Sequence, residues 1–202
     1  MMLLLFITLY WMYIIKKGMV PQLDLWSRPF VEKVAYSPVY TIFRWITEFG
    51  SFHVLLPLTI TMIFVIWFVF RDYVPAITFG VGVLSAHLLN QWIKALISRE
   101  RPSTNALLNA EGFSFPSGHS MVTIVCYGLL AYFLSKRLRT KQSINMVMIC
   151  FSCFIFSIGF SRYILNVHYI TDIISGFLLG FILLQVIIYV YEKIQNILSG
   201  QK

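Results

Sequence analysis

The sequence predicts an all-α fold: a single polytopic membrane domain, residues 1–202, with six transmembrane helices and short interfacial helices. Three observations carry this prediction. The chain is 58% hydrophobic and only 12% charged, whereas about a quarter of the residues of a soluble domain are charged. Its mean hydropathy is +0.77. Apolar stretches of about 20 residues, the length that crosses a bilayer as a helix, recur along the chain.

The six predicted transmembrane helices follow these apolar stretches. They cover residues 2–15, 51–70, 74–97, 118–135, 144–161 and 169–191. The first is short for a full span, and it lacks the basic start and the small-residue cleavage site of a signal peptide. We therefore interpret it as a shortened or tilted membrane helix.

Two short helices are predicted between the first and second spans. One begins near Ser27-Arg28-Pro29, and the other begins at Ser37-Pro38 and stops at Gly50, since these residue types mark helix ends. The apolar residues expected on them are Phe30, Val31 and Val34, which the first helix buries, and Ile42, Phe43, Trp45, Ile46 and Phe49 on the second. Amphipathic helices that carry tryptophan are typical of the membrane interface. They either pack there or form a roof over a lipid-entry site.

The formal net charge of +8 indicates a bilayer as the partner rather than nucleic acid, because no basic block is long enough for a nucleic-acid surface. The densest basic loop is residues 136–141. Positive charge favours the cytoplasmic side of a membrane, so we predict that this loop is cytoplasmic. Several basic residues, among them Lys16 and Arg44, fall on the opposite side and weaken the bias.

Ionisable residues near the predicted spans form three clusters, and such residues are costly enough to suggest a function. The first is Lys94 to Arg101-Pro102, at the end of the third span. The second is Pro116-Ser117-Gly118-His119, which opens the fourth span. The third is Ser161-Arg162 to His168 and Asp172, between the fifth and sixth spans. All three fall at the membrane face opposite the basic loop, so we expect them to converge.

Spacing and helix ends predict how these residues are arranged. Lys94 and Arg101 are two turns apart on a helix, and His168 and Asp172 have i, i+4 spacing, so each pair is expected on one helix face. Ser117 is expected to cap the fourth span, whose first turn favours an anion. Gly118 removes the side chain that would block a ligand.

The chemistry of the clusters indicates a phosphoryl site. Three cations and a helix N-terminus provide a cradle for a group with two or more negative charges, and arginine forks suit tetrahedral oxyanions. A histidine held by a carboxylate acts as a nucleophile or base, and a second histidine donates a proton to a leaving oxygen. A phosphate ester held between them is cleaved through a phosphohistidine intermediate. No constellation of acidic ligands for Mg²⁺ is present, so we predict no metal and no cofactor.

Other polar residues receive structural interpretations. Arg99, Glu100, Glu111 and Asp24 are assigned to solvated loops, and His53 and His87 to packing, although His87 is spaced to line the same pocket as Lys94. Asn90 and Gln91 are assigned to helix–helix hydrogen bonds. The cysteines Cys126, Cys150 and Cys153 are expected to be small buried residues rather than metal or redox groups.

Together the clusters resemble the three-part signature of the type 2 phosphatidic acid phosphatase superfamily: Lys, six residues, Arg-Pro; then Pro-Ser-Gly-His; then Ser-Arg, five residues, His, three residues, Asp. The sequence matches all three parts in order. The resemblance implies a metal-independent lipid phosphate phosphatase. In it, His168 would be the nucleophile, Asp172 its orienting partner, and His119 the acid that later activates water. The phosphate-binding residues would be Lys94, Arg101, Ser117, Gly118 and Arg162.

Compact bacterial members of this family act on undecaprenyl pyrophosphate, phosphatidylglycerol phosphate or phosphatidic acid at the outer side of the cytoplasmic membrane. The resemblance implies the same location here and does not choose among these lipids. A lipid phosphotransferase with an alcohol acceptor stays open as an alternative. A haloperoxidase and a non-enzymatic anion transporter or channel are disfavoured, by the six spans and by the position of the cations at one interface.

Overall fold

The computed structural model describes residues 2–34, 38–102 and 112–200, and the regular structure in these ranges is helical. The helices are α1 (Met2–Lys16), α2 (Gln22–Val34), α3 (Pro38–Glu48), α4 (Phe52–Phe70), α5 (Tyr73–Ile97), α6 (Gly118–Ser135), α7 (Lys141–Ile164) and α8 (Ile170–Leu198).

Five of the six predicted spans are confirmed as helices that are long and apolar enough to cross a membrane. They fall in Pro38–Phe70, Tyr73–Ile97, Gly118–Ser135, Lys141–Ile164 and Ile170–Leu198. The first predicted span is helix α1, whose 15 residues extend about 22 Å, less than the ~30 Å of a bilayer core. Large apolar side chains such as Phe64, Phe68 and Trp92 are exposed on the outer surfaces of the long helices, as a lipid environment requires.

Helix α6 lies at the centre of the bundle and packs against α5, α7 and α8. Its contact with α8 is close because two glycines of α8 face it. A Cβ on Gly176 would lie 2.7 Å from the carbonyl oxygen of Ser117, and one on Gly180 would lie 2.7 Å from that of Met121. This spacing of small residues lets helix backbones approach each other. The start of α6 is thereby fixed against the start of α8.

The predicted start of the first interfacial helix is wrong. Helix α2 begins at Gln22, and the carbonyl of Pro21 accepts the amides of Asp24 and Leu25 at 3.0 and 3.4 Å. Pro29, read as a start signal, lies inside the helix. Of the residues expected to be buried, Val31 is buried, but Phe30 is exposed and only stacks on Tyr163 with ring centroids 6.3 Å apart.

Helix α3 begins at Pro38 as predicted, while Ser37 lies outside the described residues. The chain then turns, with the amide of Gly50 bonded to the carbonyl of Thr47 at 2.9 Å. Phe43 and Ile46 are partly buried, and Ile42, Trp45 and Phe49 are exposed. This division into partly buried and exposed side chains suits a helix that lies along the bundle at the membrane interface.

The expectation that all three cysteines are buried is wrong for two of them. Cys126 is buried, but Cys150 and Cys153 are exposed on α7, and all three thiols are free. The difference arises because this part of α7 presents its side chains outward, as the exposed Ile149 beside them also shows. In a long apolar helix the sequence pattern does not distinguish a lipid-facing side from a core-facing side.

Candidate active site

A cavity of about 390 Å³ opens at the end of the bundle where α5 and α7 end and α6 and α8 begin. Six of the eight predicted site residues line it: Lys94, Arg101, Gly118, His119, Arg162 and His168. Ser117 and Asp172 are fully buried behind this lining. The structure therefore brings the three sequence clusters together, as the alternation of helix ends predicted.

The turn that opens α6 has the predicted geometry. Ser117 is the N-cap, and its side chain accepts the amide of Ser120 at 3.3 Å. Gly118 faces Asn90, whose Oδ1 would lie 3.0 Å from an added Cβ. The amide of Asn90 in turn donates to the carbonyl of Pro116 at 3.2 Å. The bonds that Asn90 makes fit its assigned helix–helix role and hold this turn against α5.

Lys94 and Arg101 converge by a route that differs from the predicted one. Helix α5 ends at Ile97, and Ser98 adopts a left-handed conformation with φ 54°, so the two cations do not share a helix face. The chain turns back instead. Lys94 Nζ donates to the carbonyl of Phe113 at 2.6 Å, and the Arg101 guanidinium donates to the carbonyls of Gly112 and Val167 at 3.0 and 2.9 Å.

Arg162 is the most deeply placed cation of the cavity. It is 1% exposed at the end of α7, and its Nη1 donates to Thr47 Oγ1 of α3 at 3.2 Å. Lys94, Arg101 and Arg162 thus place three basic side chains around one cavity. Such a concentration of fixed cations suits a ligand with more than one negative charge.

His168 and Asp172 form a buried pair, although not as neighbours on a helix face. His168 lies before the start of α8, and its Nδ1 is 3.4 Å from Oδ2 of Asp172 in the first turn. Oδ2 also accepts the amide of Tyr169 at 2.9 Å and the hydroxyl of Ser114. Burial, with the charges of Arg101, Lys94 and Arg162, holds the pKa of His168 well below its usual value. The imidazole is therefore neutral near pH 7.

The sequence interpretation missed the partners of Asp172. Arg99 and Asp24, both assigned to solvated loops, are buried. Arg99 Nη1 lies 2.6 Å from Oδ1 of Asp172, and Arg99 Nη2 lies 2.6 Å from Oδ2 of Asp24. Asp24 is far from Arg99 in sequence, and no local pattern pairs them. The sequence signal that could have suggested a role for Arg99 was its position two residues before Arg101, within the first cluster of ionisable residues.

The cavity continues along the facing sides of α4 and α5. This part of the lining combines apolar residues such as Leu55 and Val83 with the polar residues His53, His87 and Gln91. His87 therefore lines the same pocket as Lys94, as its spacing predicted. The buried hydroxyl of Ser51 also lies on this wall and has no hydrogen-bond partner within residues 2–34, 38–102 and 112–200. In the same ranges no three His, Cys, Asp or Glu side chains are grouped to hold a metal ion.

Comparison with known protein families shows which family this chain belongs to. Residues 75–196 match the PAP2 superfamily, and all eight predicted site residues fall within this range. The chain belongs to the PAP2 superfamily. Its resemblance to that phosphatase family, inferred from the motifs, is thereby confirmed.

The names of similar proteins agree with this family. The chain is 36% identical to phosphatidylglycerophosphatase B of Bacillus subtilis over 152 residues, 75% of this chain and 74% of the relative. It is 27% identical to dolichyldiphosphatase 1 of Dictyostelium discoideum over 151 residues, 71% of this chain and 66% of the relative. It is 29% identical to lipid phosphate phosphatase delta of Arabidopsis thaliana over 126 residues, 56% of this chain and 30% of the relative.

The similarity in fold extends over nearly the whole of this chain. The crystal structure of a transmembrane PAP2-type phosphatidylglycerolphosphate phosphatase from Bacillus subtilis superposes with a TM-score of 0.79 at 29% identity, and the match covers 93% of this chain and 95% of that one. The protein is a multi-span membrane phosphatase of the PAP2 superfamily, as the sequence predicted.

Proposed function

We propose that this PAP2 phosphatase removes phosphate from lipid phosphates or pyrophosphates through a phosphohistidine on His168. One observation carries the proposal: three cations and the two motif histidines, His119 and His168, line a single cavity, and the buried carboxylate of Asp172 lies behind His168. This arrangement supplies a cradle for the phosphoryl oxygens, a held nucleophile and a second histidine to act as the acid.

The bonds and protons of the two chemical steps are accounted for by His168, His119, water and the substrate. In the first, Nε2 of His168 attacks phosphorus, the bond from phosphorus to the lipid oxygen breaks, and His119 gives that oxygen its proton. In the second, water attacks the phosphohistidine, His119 takes a proton from the water, and the phosphorus–nitrogen bond breaks to release inorganic phosphate. Lys94, Arg101 and Arg162 bind the phosphoryl oxygens throughout, together with the amide of Gly118 in the first turn of α6. The amide of Ser117 is not available for this, because it donates to the carbonyl of Asp172 at 3.0 Å.

A lipid leaving group is supported by the shape and lining of the cavity. Its wall on α5 runs from Lys94 to Gly80, which is about 21 Å along the helix axis at 1.5 Å per residue. Away from the cations the wall carries the apolar side chains of Leu55, Leu56, Val83 and Leu84, alongside the polar side chains of His53, Thr59 and His87. A lipid with its phosphate among the cations would lay its apolar chain along this wall.

The choice of lipids rests on the relatives. Their names describe a phosphatidylglycerophosphatase, a lipid phosphate phosphatase and a dolichyldiphosphatase. We propose phosphatidylglycerol phosphate, phosphatidic acid and undecaprenyl pyrophosphate as the substrates to compare.

We also propose that the protein lies in a bacterial cytoplasmic membrane with its site on the extracytoplasmic side. The support is the distance between the site and the basic residues 136–141. These follow α6, whose 18 residues separate them from Ser117 by about 27 Å, nearly the bilayer core. Basic loops favour the cytoplasmic side.

The deciding experiment measures inorganic phosphate release from these three lipids by the purified protein in detergent with EDTA. We expect release by the wild type, its loss in His168→Ala, and its retention in the control Arg44→Ala, because Arg44 is exposed on α3. Release that persists in a folded His168→Ala protein would exclude the phosphohistidine. A new phospholipid formed from an added alcohol, without free phosphate, would instead establish a phosphotransferase.

A further inference from the structure

A buried charge network lies directly behind the His168–Asp172 pair. Arg99 is its centre: one guanidinium nitrogen contacts Oδ1 of Asp172 at 2.6 Å and Thr171 Oγ1 at 2.9 Å, and another contacts Asp24 at 2.6 Å. The side chains of Arg99, Asp24 and Asp172 are 8%, 1% and 0% exposed. The guanidinium carbon also lies 3.8 Å from the centroid of the Tyr169 ring.

The network fixes the Asp172 carboxylate at both oxygens. Oδ1 accepts Arg99, while Oδ2 accepts Ser114 and the amide of Tyr169 and faces His168. If Oδ1 lost its partner, the carboxylate could rotate away from His168. An unpaired buried carboxylate would also take up a proton, since burial disfavours the charged form. The contact with Arg99 opposes both changes.

Asp24 fixes Arg99 in turn, and it does so from helix α2. Its Oδ2 accepts Arg99 and the hydroxyl of Thr171, and its Oδ1 accepts the amide of Thr171 at 3.0 Å. Arg99 is thereby held between two carboxylates, one on the interfacial helix and one on α8. Its main-chain carbonyl also accepts the amide of Ser114 at 2.7 Å, so Arg99 also orders Ser114, a second partner of Asp172.

We infer that Arg99, anchored by Asp24 of helix α2, is a positioning residue of the reaction: it keeps the Asp172 carboxylate ionised and aimed at Nδ1 of His168. The inference rests on the proposed function, in which His168 is the nucleophile. It adds a role for α2, which then supports the catalytic histidine from outside the long helices.

The kinetic test compares Arg99→Gln with Asp172→Asn. Outer partners of metal ligands typically contribute about 10- to 100-fold, and by analogy we expect Arg99→Gln to lower kcat by about that factor while KM changes by less than about threefold. Since both residues act through His168, adding Arg99→Gln to Asp172→Asn should cost less than a further twofold or so. Full additivity of the two losses, or a loss confined to KM, would overturn the inference.

Two further variants separate positioning from folding. Arg99→Lys keeps a buried cation but cannot span both carboxylates, so we expect kcat between those of wild type and Arg99→Gln. Asp24→Asn leaves Arg99 on Asp172 and should cost less than Arg99→Gln. The control is Glu100→Gln, which changes the charge of the exposed neighbour and should leave kcat unchanged. Equal kcat in Arg99→Lys and Arg99→Gln, both with the wild-type melting temperature, would contradict the order we expect.

A second readout needs no substrate. In protein labelled with ¹⁵N-histidine, the Nδ1–H signal of His168, assigned with His168→Gln, should report its hydrogen bond to Asp172. We expect Arg99→Gln to shift or broaden this signal and Glu100→Gln to leave it unchanged. An unchanged signal in Arg99→Gln would refute the inference. If the wild type released no phosphate from any lipid, the proposed function would fail, and this comparison would still decide the role of Arg99.

Discussion

Nη1 of Arg101 lies 2.9 Å from Nε2 of His168. A guanidinium only donates hydrogen bonds, so Nε2 is the acceptor and carries a lone pair, which leaves the imidazole proton on Nδ1 toward Asp172. This tautomer leaves the ring's one available lone pair on Nε2, and Arg101 must turn from Nε2 to a phosphoryl oxygen before that lone pair can attack. The same contact joins the first and third sequence clusters at one atom, with Arg101 next to the nitrogen that would attack phosphorus.

Arg162→Lys should lower kcat/KM by about 10- to 100-fold although it preserves the charge. Arg162 is 1% exposed and reaches Thr47, and a lysine there cannot bind two phosphoryl oxygens in one plane. Phosphate release at several lipid concentrations would measure the effect. An unchanged kcat/KM would mean that charge alone matters at this position.

His119→Ala should reduce lipid turnover by about 10²- to 10⁴-fold, the usual contribution of a general acid. The loss in the first step should be smaller with p-nitrophenyl phosphate, whose leaving oxygen needs no proton. Rapid-quench trapping of phosphorylated protein with both substrates checks this. Equal losses in the phosphorylation rate for the two substrates would count against the role of His119 as the acid.

The fold and most of the site follow from sequence patterns, because helix length, end signals and the alternation of ends are local properties. Lys94, Arg101 and His168 meet as these patterns predict. The path between Lys94 and Arg101 was predicted wrongly, because a left-handed residue at Ser98 ends the helix without a glycine or proline to signal it. The burial of Arg99 and Asp24 was missed because it depends on α2 packing onto α8, a tertiary contact.

Acid should destabilise the folded protein through His168. Burial and the neighbouring cations lower the pKa of His168 below its usual value of 6.5. As the pH falls through 6.5, the unfolded chain binds a proton that the folded chain resists, so the free energy of unfolding decreases. Between pH 7 and pH 5, the melting temperature of the wild type should therefore fall more than that of His168→Gln. Parallel curves would show that His168 does not resist protonation.

Gly50→Ala should damage the site from outside the three clusters. A Cβ on Gly50 would lie 2.6 Å from Cδ2 of His119 and 2.6 Å from Cγ2 of Ile158. The imidazole must then move, which displaces the proposed acid, and overpacking of this kind costs about 1–3 kcal/mol. We expect a lower kcat and a lower melting temperature, measured by phosphate release and thermal unfolding in detergent.

The control for Gly50→Ala is Gly18→Ala, where no atom lies within 4 Å of an added Cβ but the backbone has φ +75°. That variant carries backbone strain without a contact to the site, so its melting temperature should fall while kcat stays at the wild-type value. If a Gly50→Ala protein kept the wild-type kcat, His119 would tolerate the displacement of its imidazole. Its role as the acid would then not depend on the exact position that the structure gives it.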